Sequence, residues 1–221
     1  MTFVSPFFEY TCHNERLAKT CLIGVAGLSG SGKSEFAKRL AASLDSCSVL
    51  TLDSYYHSQS HLPVEARAAL NYDHPDALDW PLLAAHLDAL GREEAFEEPQ
   101  YLFDRHTRSP ETRTIRPQPF LILEGILTLC REEVRKRLDL KVFVSTTPEE
   151  CFRRRLARDI AERGRTAASV RDQYERTVWP MAVEFALPSR ELADVVVSGE
   201  EPLDRSVAGV LEFLNRRAAG A

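Results

Sequence analysis

The run Gly27-Leu28-Ser29-Gly30-Ser31-Gly32-Lys33-Ser34 fits the pattern G-x-x-x-x-G-K-[ST]. Its glycines let the backbone turn several N–H groups inward on one anion. A helix opening at Lys33 adds the positive end of its dipole and its unpaired N–H groups. The chemistry implied is the grip of a nucleoside triphosphate by Gly27, Gly30, Ser31, Gly32, Lys33 and Ser34. The Lys33 ammonium neutralises β- and γ-phosphate oxygens, and the Ser34 hydroxyl is a ligand for Mg2+. Two carboxylates stand where strands are expected to end: Asp53 after Val49-Leu50-Thr51-Leu52, and Glu124 after Phe120-Leu121-Ile122-Leu123. A carboxylate there either accepts the proton of a hydroxyl substrate or holds Mg2+. The residue types alone leave open which acid does which.

A third group is cationic. The segment 153–165 carries Arg153, Arg154, Arg155, Arg158, Arg163 and Arg165 in a chain of net charge -5. Pairs such as Arg155–Asp159 and Arg158–Glu162 at i,i+4 would suit an ordinary solvated helix face. The acids are nevertheless too few to neutralise every arginine. A lid over the triphosphate, broken at Gly164, would use the surplus on the transferring phosphoryl group. Arg158, Arg163 and Arg165 flank that break and are the expected lid cations.

The elements that must position these groups read as an α/β chain with a parallel sheet of five strands flanked by helices, in the three-layer arrangement of P-loop proteins. Strands are predicted at 21–26, 48–52, 120–123, 141–145 and 193–197, their unalternating Val, Ile and Leu suiting burial on both faces. Helices are predicted at 33–44, 80–90, 131–138, 148–163, 167–186 and 203–217. Residues 91–119 interrupt the alternation as a polar, proline-punctuated insertion, with a hairpin at 97–103 and 112–116. In such a sheet, ligands sit beyond the carboxyl ends of the strands, so Asp53, Glu124 and the glycine-rich loop are expected in one crevice.

The 221 residues favour one domain, 21–221, after an N-terminal extension over 1–20. The acidic balance argues against a nucleic-acid coat. No run approaches the ~18 apolar residues of a membrane span, and the N-terminus lacks a signal peptide's order, so a cytoplasmic address is expected. Five scattered cysteines (Cys12, Cys21, Cys47, Cys130, Cys151) without a CxxC pair read as buried, reduced residues. No NKxD motif for reading guanine occurs, which weighs against a GTPase.

Further stretches resemble one family. They are Asp53-Ser54-Tyr55-Tyr56, the run from Asn71-Tyr72-Asp73-His74-Pro75 to Trp80, and Pro99-Gln100-Tyr101-Leu102-Phe103-Asp104-Arg105-His106-Thr107-Arg108. Glu124-Gly125-Ile126-Leu127 and Arg158-Asp159-Ile160-Ala161-Glu162-Arg163-Gly164-Arg165 continue the pattern, followed by Gln173-Tyr174, Trp179-Pro180-Met181 and Pro188-Ser189. In this order, from about residue 22 to 197, the chain resembles the uridine kinases among the phosphoribulokinase-like P-loop kinases. The resemblance implies 5′-phosphorylation of uridine and cytidine with ATP or GTP and Mg2+. It makes Asp53 the base, with Ser34 and Glu124 completing the metal surroundings. Asp73 and Arg155 match the groups that hold the ribose hydroxyls, Tyr101 and His106 those that meet the pyrimidine edge. Tyr56, Tyr72 and Phe103 would wall the ring. Arg165 and Gln173 match nucleoside contacts, and Arg158 and Arg163 a phosphate-facing lid over 153–166. Homotetramers restrained by CTP are implied as well. Where the family reads Tyr-Asp-Phe, this chain has Tyr101-Leu102-Phe103. Asp104 lies two residues beyond the missing acid, about 7 Å along an extended strand.

The rival substrates are phosphoribulose, pantothenate and nicotinamide riboside. A phosphorylated sugar would call for basic residues near Asp73, where the chain is acidic. The non-enzymatic rival is a module that binds nucleotide without transfer.

Overall fold

The computed structural model describes residues 19–219; residues 1–18 of the expected extension, with Cys12, lie outside it. In chain order the elements are β1 (Cys21–Ala26), α1 (Lys33–Ala41), β2 (Cys47–Thr51), α2 (Val64–Ala68), α3 (Trp80–Gly91), β3 (Phe96–Leu102), β4 (Thr107–Ile115), β5 (Phe120–Glu124), α4 (Glu132–Arg135), β6 (Leu140–Ser145), α5 (Pro148–Arg163), α6 (Ala167–Gln173), α7 (Trp179–Met181), β7 (Val195–Ser198) and α8 (Leu203–Ala219). Between β2 and α2 a 3-10 turn, Leu52–Tyr55, carries Asp53.

The five-stranded parallel sheet has the order β2-β5-β1-β6-β7, so the glycine-rich loop leaves the central strand. Residues alternate between its faces with the period of two that strands impose. Leu22 and Ala26 of β1 join Leu83, Leu87 and Leu90 of α3 and Val134 of α4. Ile23 and Val25 join Phe36 and Leu40 of α1 and Val207, Val210 and Leu214 of α8. The two helical layers thus clamp the sheet from opposite sides and fix the level of its strand ends. Val25 and Thr51 are both register partners of Glu124, which brings β1, β2 and β5 to a common rim.

The expected strands are present within two residues of their predicted bounds. Burial on both faces holds for β1, β5 and β6 but not for the edge strands β2 and β7, which have neighbours on one side only. The helix expected at 131–138 shortens to Glu132–Arg135, where Val134 is the buried residue. The helix expected over 167–186 is divided. Wide π turns occupy Tyr174–Val178 and Ala182–Ala186 on either side of α7. Pro180 accounts for the first and Pro188 for the second, because each lacks an N–H and its ring collides with the carbonyl four residues back, of Arg176 and Glu184, so the coil widens there.

The hairpin also departs from expectation, since β4 begins at Thr107 rather than near 112. Register shifts between the pairs Pro99↔Thr112 and Tyr101↔Arg108, leaving one residue on β3 opposite three on β4. Pro110 falls in that irregularity, where no ladder N–H is required, so a residue that reads as a breaker is tolerated. Among the described cysteines only Cys151 is fully buried, against the expectation that all would be. No helix among the described residues is long and apolar enough to cross a membrane.

Candidate active site

The glycine-rich loop crosses from β1 to α1 as the sequence suggests. Gly30 has φ 85° and its Cα faces the Cys151 carbonyl of α5 so closely that a Cβ would collide with it. Only glycine meets both demands. Gly27, Ser31 and Gly32 complete the turn, the Ser31 carbonyl accepting from Thr146 Oγ1 at 2.9 Å. Lys33 and Ser34 then open α1 into a cavity of about 810 Å³ at the rim of the sheet.

Both strand-end acids reach that cavity. Asp53 lines it from the 3-10 turn, and Glu124 from the last position of β5. Ser34 Oγ donates to Glu124 Oε2 at 3.1 Å. Burial raises the Glu124 carboxyl above the usual carboxylate range, an effect that Lys33 opposes. The Tyr56 hydroxyl donates to Asp53, and loss of hydration pushes that phenol well above its ordinary value. Asp53, Lys33 and Glu124 therefore share one basin.

The opposite wall is aromatic and belongs largely to the hairpin. The Tyr72 and His106 rings stack at 5.4 Å with 22° between planes, while Tyr56 and Tyr101 approach at 5.2 Å. Phe103 closes the row beside Tyr101, at 5.3 Å and 74°. Such a slot suits a flat ring. Burial, and then the charge of Arg67, hold the His106 imidazole below its ordinary value, so it is neutral near pH 7. Asp104 lies in the turn after β3, 78% exposed at its side chain but still on the cavity's edge.

The hairpin is fastened by arginines that donate to backbone carbonyls. Arg108 Nε and NH2 bond the carbonyls of Tyr56 and Tyr55 at 2.8 and 3.1 Å, and NH2 meets Asp79 at 3.1 Å. Asp79 in turn caps α3 through Leu82 N–H. Arg67 of α2 bonds the carbonyls of Leu62, Ser60 and Arg105, the last beside His106. Arg113 spans Glu98 Oε2 at 2.7 Å and the Val49 carbonyl at 2.9 Å. None of these three arginines was marked as a site residue by the sequence reading. Each of them donates to at least one main-chain oxygen, a partner that no side-chain pattern displays.

The expected lid is α5, ending at Gly164 with φ 62° as a left-handed cap. Arg155, Arg158, Arg163 and Arg165 all line the cavity. They do not present free charge, as the surplus in the sequence suggested. All four converge on Asp159, a carboxylate the sequence reading used only as an ordinary helix partner. Arg158 pairs with Asp159 at 2.8 Å rather than with Glu162. Arg155 is buried, donating to Ser29 Oγ at 2.9 Å and Gln173 Oε1 at 3.1 Å. Arg165 shares that Gln173 oxygen at 2.5 Å. The Arg163 guanidinium lies 5.8 Å over the Phe103 ring, so lid and hairpin meet across the mouth. Asp73 faces Arg155 from the loop before α3, its carboxyl raised by burial.

A glycine-rich phosphate nest at the centre of a parallel sheet, facing acids at neighbouring strand ends, defines the class of P-loop phosphotransferases. Solved structures share this fold. Phosphoribulokinase from Rhodobacter spheroides aligns at TM-score 0.63 and 16% identity, over 84% of this chain and 74% of that one. D-glycerate 3-kinase from Cryptococcus neoformans aligns at TM-score 0.62 and 17% identity, over 87% and 90%. The chain belongs to the phosphoribulokinase / uridine kinase family, whose pattern it matches over residues 22–202. It is similar to the uridine kinase of Shewanella amazonensis, 47% identical over 182 residues that cover 80% of this chain and 86% of that protein. The uridine kinase of Lactobacillus helveticus is 45% identical over 185 residues, covering 82% and 88%.

Proposed function

We propose that this chain is a uridine kinase that transfers the γ-phosphoryl group of ATP or GTP to the 5′-hydroxyl of uridine and of cytidine. The observation that carries the reading is one cavity lined by Lys33, Asp53 and Glu124 at one end and by Tyr72, Tyr101 and His106 at the other. Phosphate chemistry and a slot for a neutral ring thereby share one cavity, which supports a nucleoside as the acceptor. The family membership and the named relatives support the same reaction.

Asp53 accepts the proton of the 5′-hydroxyl as that oxygen bonds to the γ-phosphorus. The bond to the bridging oxygen breaks, and the electron pair leaves on the nucleoside diphosphate. Lys33 and the loop N–H groups hold the donor's phosphates, while Arg158 and Arg163 offer charge to the equatorial oxygens. Asp73 accepts from a ribose hydroxyl with Arg155 beside it. Tyr101 and His106 meet the ring's edge between Tyr56, Tyr72 and Phe103, and Arg165 and Gln173 close the side.

The donors around Ser34 are a hydroxyl and the carboxylates Asp53 and Glu124, all oxygen, which fits Mg2+. These residues would hold the ion together with the donor's phosphates, and it supplies charge neutralisation at the β- and γ-oxygens. A homotetramer in the cytoplasm completes the proposal.

The test is a panel of uridine, cytidine, 2′-deoxyuridine, pantothenate and nicotinamide riboside in an ADP-release assay, with Asp53→Asn alongside. Turnover on the two pyrimidine ribonucleosides, weakened on the deoxy form, is expected. Asp53→Asn keeps nucleotide binding and loses about 10²–10⁴-fold in kcat. Background turnover on both ribonucleosides, with strong turnover on another alcohol, would refute the assignment.

A further inference from the structure

Asp159 of α5 is 0% exposed and lies behind the cavity rather than on its lining. Its two carboxylate oxygens divide four arginines between them. Oδ1 accepts from Arg158 Nε at 3.0 Å and NH2 at 2.8 Å, and faces Arg163 NH1 at 3.5 Å. Oδ2 faces Arg155 Nε at 3.7 Å and Arg165 NH1 at 3.4 Å. Its backbone carbonyl accepts from Arg165 N–H at 3.1 Å, where the chain turns at Gly164.

The division follows the two halves of the cavity. The Oδ1 pair is the pair assigned to the donor's phosphates. The Oδ2 pair shares Gln173 Oε1, and its Arg155 faces Asp73 on the nucleoside side while also donating to Ser29 of the glycine-rich loop. Four guanidinium groups this close repel one another, and a carboxylate between them offsets part of that repulsion, holding Arg158 and Arg165 by hydrogen bonds and Arg155 and Arg163 by charge attraction alone. Ordering by a shared anion leaves the outer faces of the guanidinium groups available for substrate oxygens.

Resting on the nucleoside-kinase reading, we propose that Asp159 is a positioning residue that sets the donor-facing and nucleoside-facing arginines in register from a single buried carboxylate. A salt bridge that merely stabilised α5 would affect melting temperature and the folded fraction. A positioning anion also governs turnover per folded site and the nucleoside's KM. Among the described residues no other carboxylate pairs with all four arginines.

The experiment compares wild type, Asp159→Asn and Asp159→Glu, with active sites counted by calorimetric binding of ADP. Asp159→Asn is expected to lose about 10²-fold in kcat per ADP-binding site and to raise the uridine KM about tenfold, with ADP affinity within threefold of wild type. Asp159→Glu keeps the charge but moves its tip by a methylene, and is expected to fold and lose about tenfold in kcat. Wild-type kcat and uridine KM per site in the Asn variant would overturn the proposal. If that variant does not fold, wild-type turnover in the Glu variant overturns it. Should wild type fail to phosphorylate uridine, the nucleoside reading falls separately. The Asp159 proposal is then decided with inorganic sulfate as the probe, ADP saturating the glycine-rich loop. Asp159→Glu keeps the charge and displaces the arginines, so its sulfate affinity is expected to fall about tenfold, and unchanged affinity overturns the proposal.

Discussion

Replacing Gly125 by alanine tests whether the acids are held as tightly as the chemistry requires. Gly125 follows Glu124 and its N–H donates to the Val25 carbonyl at 3.1 Å, so it cannot drift from the sheet. A Cβ there falls roughly 1 Å inside ordinary contact with Leu52 Cβ, with Leu52 Cδ2 at 3.1 Å and Cγ at 3.3 Å. Leu52 is 2% exposed and cannot swing its Cβ aside, because that atom is fixed by the backbone. Relief must come from the main chain of the turn carrying Asp53, or from the end of β5 carrying Glu124. Overpacking of this kind costs about 2 kcal/mol of stability, or about 4–8 °C in Tm for a chain of this size. A misplacement of ~1 Å at the reacting groups costs about 10²-fold in rate, equivalent to about 2.7 kcal/mol. Uridine phosphorylation by ADP release, with thermal melting and ADP calorimetry in parallel, separates these effects. The expected result is kcat down about 10²-fold, ADP affinity retained and Tm lowered. A variant that melts early but turns over within threefold of wild type would refute the link between Leu52 and the placement of Asp53.

Two further outcomes follow from the hairpin's fastenings. Arg67→Ala removes three carbonyl bonds and one of the influences that depress the His106 imidazole. Uridine KM should rise about tenfold at pH 7.5, and the acid limb of its pH profile should shift upward as His106 protonates more readily; an unmoved limb would contradict the assigned contact. Arg113→Ala strips the partner from Glu98, which is 1% exposed and whose carboxyl burial already raises. With Arg113 itself half exposed, the loss is about 1–2 kcal/mol at pH 7. A raised carboxyl favours the fold below its unfolded value and loses that contribution as pH rises through the folded one. The variant's Tm deficit should therefore shrink on acidification, and a constant deficit from pH 7 to 4.5 would show that Glu98 is not its source.

The phosphate machinery was readable in the sequence because each part is local. A glycine pattern, a strand end and a run of arginines closed by Gly164 each announce themselves within a few residues. The placement of Glu124 between Val25 and Thr51 needed only the rule that ligands sit at the carboxyl rim of a parallel sheet. The hub at Asp159 was not readable. In a stretch of alternating charge it looks like any i,i+4 partner, and only tertiary burial reveals that four arginines depend on it. The fastening role of Arg67 was not readable either, because its three partners are carbonyls. The division of the long helix at Pro180 and the early start of β4 were missed for a common reason: proline signals a break without saying what geometry absorbs it.

The hairpin forms a two-stranded sheet of its own and shares no ladder with the five-stranded one. It supplies Tyr101, Phe103 and His106, and it is attached to the turn that carries Asp53 through Arg108, through Glu98 on Ser54, and through the contact of Tyr101 with Tyr56. Under the proposed function, most of ring choice is therefore written on one piece of chain and bond-making chemistry on another, with Tyr56 touching both. Substitutions at 101, 103 or 106 can retune which heterocycle is admitted while the engine beneath keeps its alignment. An engineer seeking a kinase for modified nucleosides would edit this flap and leave the sheet alone.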